Sequence, residues 1–216
     1  MDKIIKKFCT DEWVKFIHFH SIIYRFNKDE IIFKVEDDVA GVYFINFGKV
    51  KVVKGAKKSE RIIRLASEED VLGDRGVGGT WKYTVSAIAL ELTEVVFIPI
   101  KMFNQAIKAN PEFGFFVLMF FADELRDSED LAQQRTVKSS IALSLMKNLL
   151  AFGYDGKSDK LSYTLARKDL ASMAGTTYES TVRSLADLHK EGVIEIDGKT
   201  INILDEKALN TLAISN

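Results

Sequence analysis

Between residues 22 and 100 the chain alternates short runs of β-branched and aromatic residues with polar or glycine turns. The runs are IIYRF, EIIFKV, GVYFINFG, KVKVVK, RIIRLA, YTVSAIAL and TEVVFIPI. The breaks fall at Asn27-Lys28-Asp29, Glu36-Asp37-Asp38, Gly48-Lys49, Gly55 and Gly78-Gly79. Many short strands at regular spacing predict a β-sandwich or jelly roll. A short helix around Asp11–Phe16 precedes them.

The period changes near Lys101, where KMFNQAIKA reads as a helical turn. Asn110-Pro111-Glu112 then supplies an N-cap followed by proline at the first helical position. From there to about Arg135 only Gly114 interrupts a helix, giving a length of roughly 37 Å at ~1.5 Å per residue. Phe113, Phe116 and Phe120 recur at helical spacing, with Leu125 and Leu131 beyond, while Phe115, Met119 and Phe121 add a second apolar face. A helix apolar nearly all round needs cover on two sides. Its own domain and a second copy of the chain supply that cover in one reading; burial wholly within one subunit is the other. Thr136 caps a further helix, VKSSIALSLMKNLLAFG, with Ile141, Leu145, Asn148/Leu149 and Phe152 in register and Gly153 as its stop.

After a polar loop over residues 154–160, the stretch Arg167–Lys190 holds two short helical patterns that meet at Gly175. EGVIEIDGKTINIL follows, a hairpin turning on Asp197-Gly198. Helix, glycine turn, second helix and β-wing is the order of a winged helix-turn-helix, which presents one helix to the DNA major groove. In the second helix Thr181, Leu185 and Leu188 share one face, with Leu170 and Met173 of the first helix completing a small core. Glu179, Arg183, Ala186 and Lys190 lie opposite. Thr176 and Thr177 open the helix, where hydroxyls cap it or touch phosphate. Arg183 has the fork for guanine O6 and N7, and Glu179 can accept from cytosine N4, each worth ~1–3 kcal/mol of discrimination. The alternative is a surface ion pair between the two, worth roughly 0.2–0.5 kcal/mol.

Composition adds limits. The formal net charge of −1 carries no electrostatic signature of nucleic-acid binding. From Thr136 onward ten Lys/Arg face ten Asp/Glu, so any positive field comes from the placement of Lys138, Arg167, Lys168, Arg183, Lys190 and Lys199. The longest apolar run, Phe113–Ala122, is about half a membrane span, and the N-terminus lacks the features of a signal peptide. One cysteine, Cys9, permits no internal disulfide and no iron–sulfur cluster on this chain's own thiolates. The expectation is a cytoplasmic protein that is not an enzyme, since no Ser-His-Asp, phosphate-loop or zinc spacing is present.

GVYFINFGKVKVV, the corner VLGD, the long helix, RKDLASMAGTTYESTVR and the wing EGVIEIDGKTI together resemble the cyclic-AMP receptor protein/fumarate–nitrate regulator (Crp/Fnr) superfamily of bacterial transcription factors. The resemblance implies an α+β fold. It has an N-terminal cyclic-nucleotide-binding-like β-roll (jelly roll) over 1–110, a dimerisation helix over 111–135 and a winged helix-turn-helix over 136–216. It implies a homodimer reading palindromic double-stranded DNA half-sites ~34 Å apart, with RNA polymerase as a further partner. Glu179 and Arg183 match the base-reading positions. Thr176 and Thr177 match the phosphate-contacting pair. Tyr178, Ser180 and Lys168 complete the DNA-binding set.

At the sensor the chain departs from the family pattern. Cyclic-AMP binders clamp ribose and phosphate with a Gly-Glu corner and a later Arg-Ser. This chain has Gly73-Asp74-Arg75, then Trp81-Lys82-Tyr83-Thr84. Asp74 is a shorter carboxylate, and Lys82 lacks arginine's bidentate fork. These residues form the candidate effector pocket, for a cyclic nucleotide held by Arg75 or Lys82 or for another, unidentified small molecule; no cofactor or metal is assigned. Trp81 and Tyr83 either line that pocket or fill the roll. One competing reading is a jelly-roll, cupin-like metal protein without DNA function. It places His18 and His20 on one strand face; packing at a helix end is the other account of them. The third histidine, His189, sits near the end of the recognition helix.

Overall fold

The structure, a computed structural model, describes residues 9–55, 60–129, 135–156 and 158–215, and no side chain over 123–129. The chain forms two compact units: Met1–Lys54 with Ala66–Ala132, and Gly55–Leu65 with Gln133–Asn216.

The first unit opens with α1 (Asp11–His20), whose acids stand in its first turn and histidines in its last, as the helix dipole favours. The strands over this part of the chain are β1 (Ile22–Phe26), β2 (Ile31–Phe33), β3 (Gly41–Phe47), β4 (Val50–Lys54), β5 (Arg61–Ala66), β6 (Val71–Leu72), β7 (Ser86–Ala89) and β8 (Thr93–Pro99), of which β5 falls almost wholly in the second unit's residues. Those of the first unit form two sheets, ordered β1-β8-β3-β6 and β2-β7-β4. All the runs read from the sequence contain strands; β6, two residues long, was not foreseen. Then come α2 (Ile100–Ala109) and α3 (Pro111–Glu129), which Asn110 caps by accepting from Phe113 N–H at 3.1 Å. The remainder of the expected helix, 130–134, lies outside the described residues.

β8 is buried on both faces, which explains its unbroken apolar run. Val96 and Ile98 join Val42, Phe44, Val14, Ile17, Phe103 and Phe113 in one core under the helices. Alternation turns Phe97 the other way, onto Tyr43 at 4.9 Å between ring centres. Along β8, Glu94 is 6 % exposed and accepts from Asn46 Nδ2 at 2.7 Å and Arg25 Nε at 2.8 Å. The Asn46 hydrogen bond and then the Arg25 bond hold its carboxyl below the usual range. A carboxylate with a depressed pKa stabilises the fold above its unfolded pKa and loses that contribution as pH falls through the folded value. Glu94→Gln is therefore expected to melt below wild type at neutral pH, with the gap closing on acidification. Thermal melts across the acid range check this.

The second unit contains α4 (Val137–Phe152), α5 (Arg167–Ala174), α6 (Tyr178–Lys190), β9 (Ile194–Asp197), β10 (Thr200–Ile203) and α7 (Glu206–Ile214). α4 packs against α5, α6 and α7 through buried Ile141, Ala142, Leu145 and Leu149. Thr136 caps it by accepting from Ser139 N–H at 3.1 Å, and Gly153 ends it. The polar segment read as a loop, 154–160, carries single bridges at its ends, Tyr154↔Leu161 and Lys160↔Asn202, the second to the wing. No described helix is long and apolar enough to cross a membrane.

Candidate nucleic-acid interface

The turn between α5 and α6 is built from local signals. Gly175 adopts φ 66, ψ 37, a left-handed conformation that glycine enters without a Cβ clash. Thr176 N–H then returns to Ala171 O at 3.0 Å. Thr177 is the N-cap of α6, accepting from Ser180 N–H at 3.1 Å. Its own hydroxyl donates to Ser180 Oγ at 3.1 Å. Thr177→Ala is expected to cost about 1 kcal/mol, read as a lower unfolding midpoint of the second unit; a change within error would show the cap to be redundant.

Thr181, Ser184, Leu185 and Leu188 face inward and are buried, and Thr181 Oγ1 donates to Thr177 O at 2.9 Å. Tyr178, Glu179, Val182, Arg183, Ala186 and Lys190 are exposed, in an i, i+3/i+4 stripe along the outer side. Glu179 and Arg183 make no ion pair with each other or with any other described residue, so the surface-pair alternative is not what the structure holds. Both side chains are open to an incoming ligand. Ser180 and Thr176 are half-buried, and Lys168 is exposed on α5. Arg167 is half-buried, and burial lowers its pKa. Val182, 43 % exposed between Glu179 and Arg183, was missed in the sequence, although its spacing puts it on the same exposed stripe. An apolar group there can meet a thymine methyl. Behind the helix, His189 Nδ1 lies 3.1 Å from Ile194 O, where the carbonyl accepts and fixes the helix end to the wing.

The candidate effector residues are scattered. Gly73 (φ 83) opens a one-turn 3-10 helix over Asp74–Gly76, with Asp74 4 % exposed and Arg75 half-buried. Tyr83 is buried beside that corner, its hydroxyl donating to Gly41 O at 2.8 Å and accepting from Gly41 N–H at 3.3 Å. Trp81 and Thr84 are exposed. Lys82 Nζ donates outward, to Glu36 O at 2.9 Å and Asp38 Oδ1 at 3.1 Å, so it does not take the missing arginine's place. Burial pushes the phenols of Tyr43 and Tyr83 up.

The metal reading also changes. His18 and His20 lie on α1 rather than on a strand, where a two-residue step turns the rings ~200° apart. His20 Nδ1 is instead 2.8 Å from Phe16 O. Among the described residues no group of three or more His, Cys, Asp or Glu could hold a metal.

Comparison with known proteins agrees with both units. Residues 24–110 match the cyclic nucleotide-binding domain, and residues 143–212 match the Crp-like helix-turn-helix domain. Electron transport regulator A of Shewanella oneidensis is 27% identical over 191 residues, covering 86% of this chain and 76% of that protein. Transcriptional activator protein anr of Pseudomonas aeruginosa is 25% identical over 193 residues, covering 86% and 78%. The solved structure of FixK2 from Bradyrhizobium japonicum has the same fold, with TM-score 0.80 at 21% identity over 91% of this chain and 98% of that one. With a nucleotide-binding-type roll followed by a Crp-like reading head, in the same order as those regulators, the chain belongs to the Crp/Fnr family of DNA-binding transcription regulators.

Proposed function

We propose that the chain works as a cytoplasmic homodimer that reads a palindromic site, one α6 entering the major groove at each half-site. In this reading residues 1–110 are the sensor, 111–135 the dimerisation helix and 136–216 the DNA-binding domain. Arg183 and Glu179 read base edges. Thr176, Thr177, Tyr178, Ser180 and Lys168 hold the phosphates around them, and the bound dimer engages RNA polymerase. A small effector at the roll sets the balance between two dimer states, which requires that it bind one of them better.

The observation that carries the reading is the outer stripe of α6. An arginine and a glutamate stand one helical turn apart, exposed and unpaired among the described residues, on a helix whose other side is fully packed. An i, i+4 pair left open on a rigid helix suits base readout better than surface stability. The near-balanced charge of residues 136–216 means that affinity rests on these contacts and on two heads acting together.

Selection of bound sequences from a random DNA library tests this. The expected result is an enriched palindrome with half-sites one helical turn apart, absent when Arg183→Ala is used. No enrichment at low salt, with or without cell extract, would end the proposal.

A further inference from the structure

Residues 55–65 lie in sequence between β4 and β6, both strands of the first unit, yet they pack with the second. One side chain of the helix-turn-helix holds them. Ser172, on α5, accepts from Ile62 N–H at 3.1 Å and donates to Glu60 O at 2.9 Å. The backbone on both sides of Arg61 is therefore tied to a single hydroxyl, three residues ahead of Gly175.

Arg61 itself lies over the turn. A Cβ on Gly175 would sit 3.4 Å from Arg61 Cζ, 3.4 Å from Nη2 and 3.7 Å from Nε. Such nearly equal distances put the face of the planar guanidinium on the glycine, where no side chain stands in its way. The N–H edge of a guanidinium is the part that binds oxyanions. Here that edge has no partner among the described residues, and Arg61 is exposed. Thr176 and Thr177, the hydroxyls assigned to phosphate, follow Gly175 at one and two Cα steps of ~3.8 Å.

Charge points the same way. Residues 136–216 carry ten Lys/Arg against ten Asp/Glu, whereas residues 55–65 carry Lys57, Lys58, Arg61 and Arg64 against Glu60 alone. Most of the second unit's positive excess thus comes from this inserted segment rather than from the helix-turn-helix. An arginine that served only to fix the turn would be expected to pair with an acid. Arg61 does not.

We propose that Arg61 is a phosphate-binding residue of the DNA interface, supplied from outside the helix-turn-helix and held in place by Ser172. It grips the DNA backbone beside Thr176 and Thr177, adding affinity and register but no sequence information. This deepens the reading of α6 as the DNA-contacting helix and rests on it.

The test is the salt dependence of duplex binding by the full chain, on the selected site and on a scrambled one. Each phosphate contact contributes ~0.9 to the slope of log affinity against log salt. Arg61→Gln keeps much of the side chain's length without its charge. It is expected to flatten the slope by ~0.9 for each head bound, ~1.8 for a dimer. At 0.1 M salt the loss is ~8-fold for one head and ~60-fold for two, equal on both duplexes. Arg61→Lys keeps a point charge and is expected to keep the slope. Ser172→Ala leaves the net charge unchanged and is expected to lose part of the same affinity, since Arg61 is no longer held over the turn. An unchanged slope in Arg61→Gln would overturn the proposal. So would tighter binding, which would make residues 60–62 a strap that blocks the turn. Full affinity in Ser172→Ala would reduce Arg61 to general charge and overturn its placement. Wild type that binds neither duplex at low salt would end the DNA reading and this inference together. Wild type that binds, with Arg61→Gln its equal, would end this inference alone.

Discussion

Arg183→Ala is expected to reduce affinity for the selected palindrome by ~30-fold to ~20,000-fold while leaving the fold intact. Arg183 is exposed on α6 and has no partner among the described residues, so its truncation creates no cavity and orphans no buried group. One bidentate arginine–guanine contact is worth ~1–3 kcal/mol. A dimer makes that contact at both half-sites, so the loss doubles to about 2–6 kcal/mol, which gives the stated range. Arg183→Lys sharpens the test: it keeps the charge but loses the planar fork. It should retain wild-type affinity for random DNA and its salt dependence, yet discriminate almost as poorly as alanine. Competition binding against the selected site and a scrambled one measures both. Equal affinity of wild type and Arg183→Ala for the selected site would remove Arg183 from the reading head.

Leu118→Glu is expected to convert the proposed dimer into a monomer. On α3 Phe113 and Val117 are buried in the first unit's own core, with Phe116 and Phe120 packed against it. Phe115, Leu118 and Met119 look the other way, exposed at 61%, 63% and 43%. A contiguous apolar stripe rarely stays open to water unless it is an interaction surface. Burying one leucine is worth ~1.5–3 kcal/mol, and a two-fold interface uses it twice. Glutamate forfeits both copies and adds like-charge repulsion close to the axis. The dimer dissociation constant should rise at least ~100-fold, visible as a halved mass by light scattering with an unchanged circular dichroism spectrum. DNA affinity should fall further than for Arg183→Ala, because a lone head loses the effective concentration conferred by its partner. A dimer that survives Leu118→Glu would place the interface elsewhere.

The winged helix-turn-helix was legible in the sequence because its determinants are local. Gly175 in a left-handed turn, Thr177 as N-cap, the 3.6-residue spacing of Thr181, Leu185 and Leu188, and Asp197-Gly198 at the hairpin each act within a few residues of themselves. Asn110, Thr136 and Gly153 marked helix ends for the same reason. The strand runs were legible through their β-branched and aromatic content. β6 was missed because a two-residue strand has no period, and α7 because no apolar stripe announced it, although Asp205 caps it by accepting from Ala208 N–H at 2.9 Å.

The sensor was legible only in part. Alternation separates Tyr83 from Lys82 and Thr84, but a strand pattern does not say which side will be roofed by another sheet. That was settled when Phe33 and Tyr43, distant in sequence and on opposite sheets, closed on Tyr83. The same long-range pairing sent Lys82 to Glu36 and Asp38. His18 and His20 were ambiguous because a short apolar run fits helix and strand alike; α1 packing Val14 and Ile17 onto β3 and β8 resolved it. Caps and periodicity act at short range, so the chain's order by itself determined α2 to α6 and the Glu179, Arg183, Ala186 and Lys190 side of α6, but not α7 or the place of Val182. Only the tertiary structure decided which aromatic fills the roll, because that depends on two sheets meeting face to face.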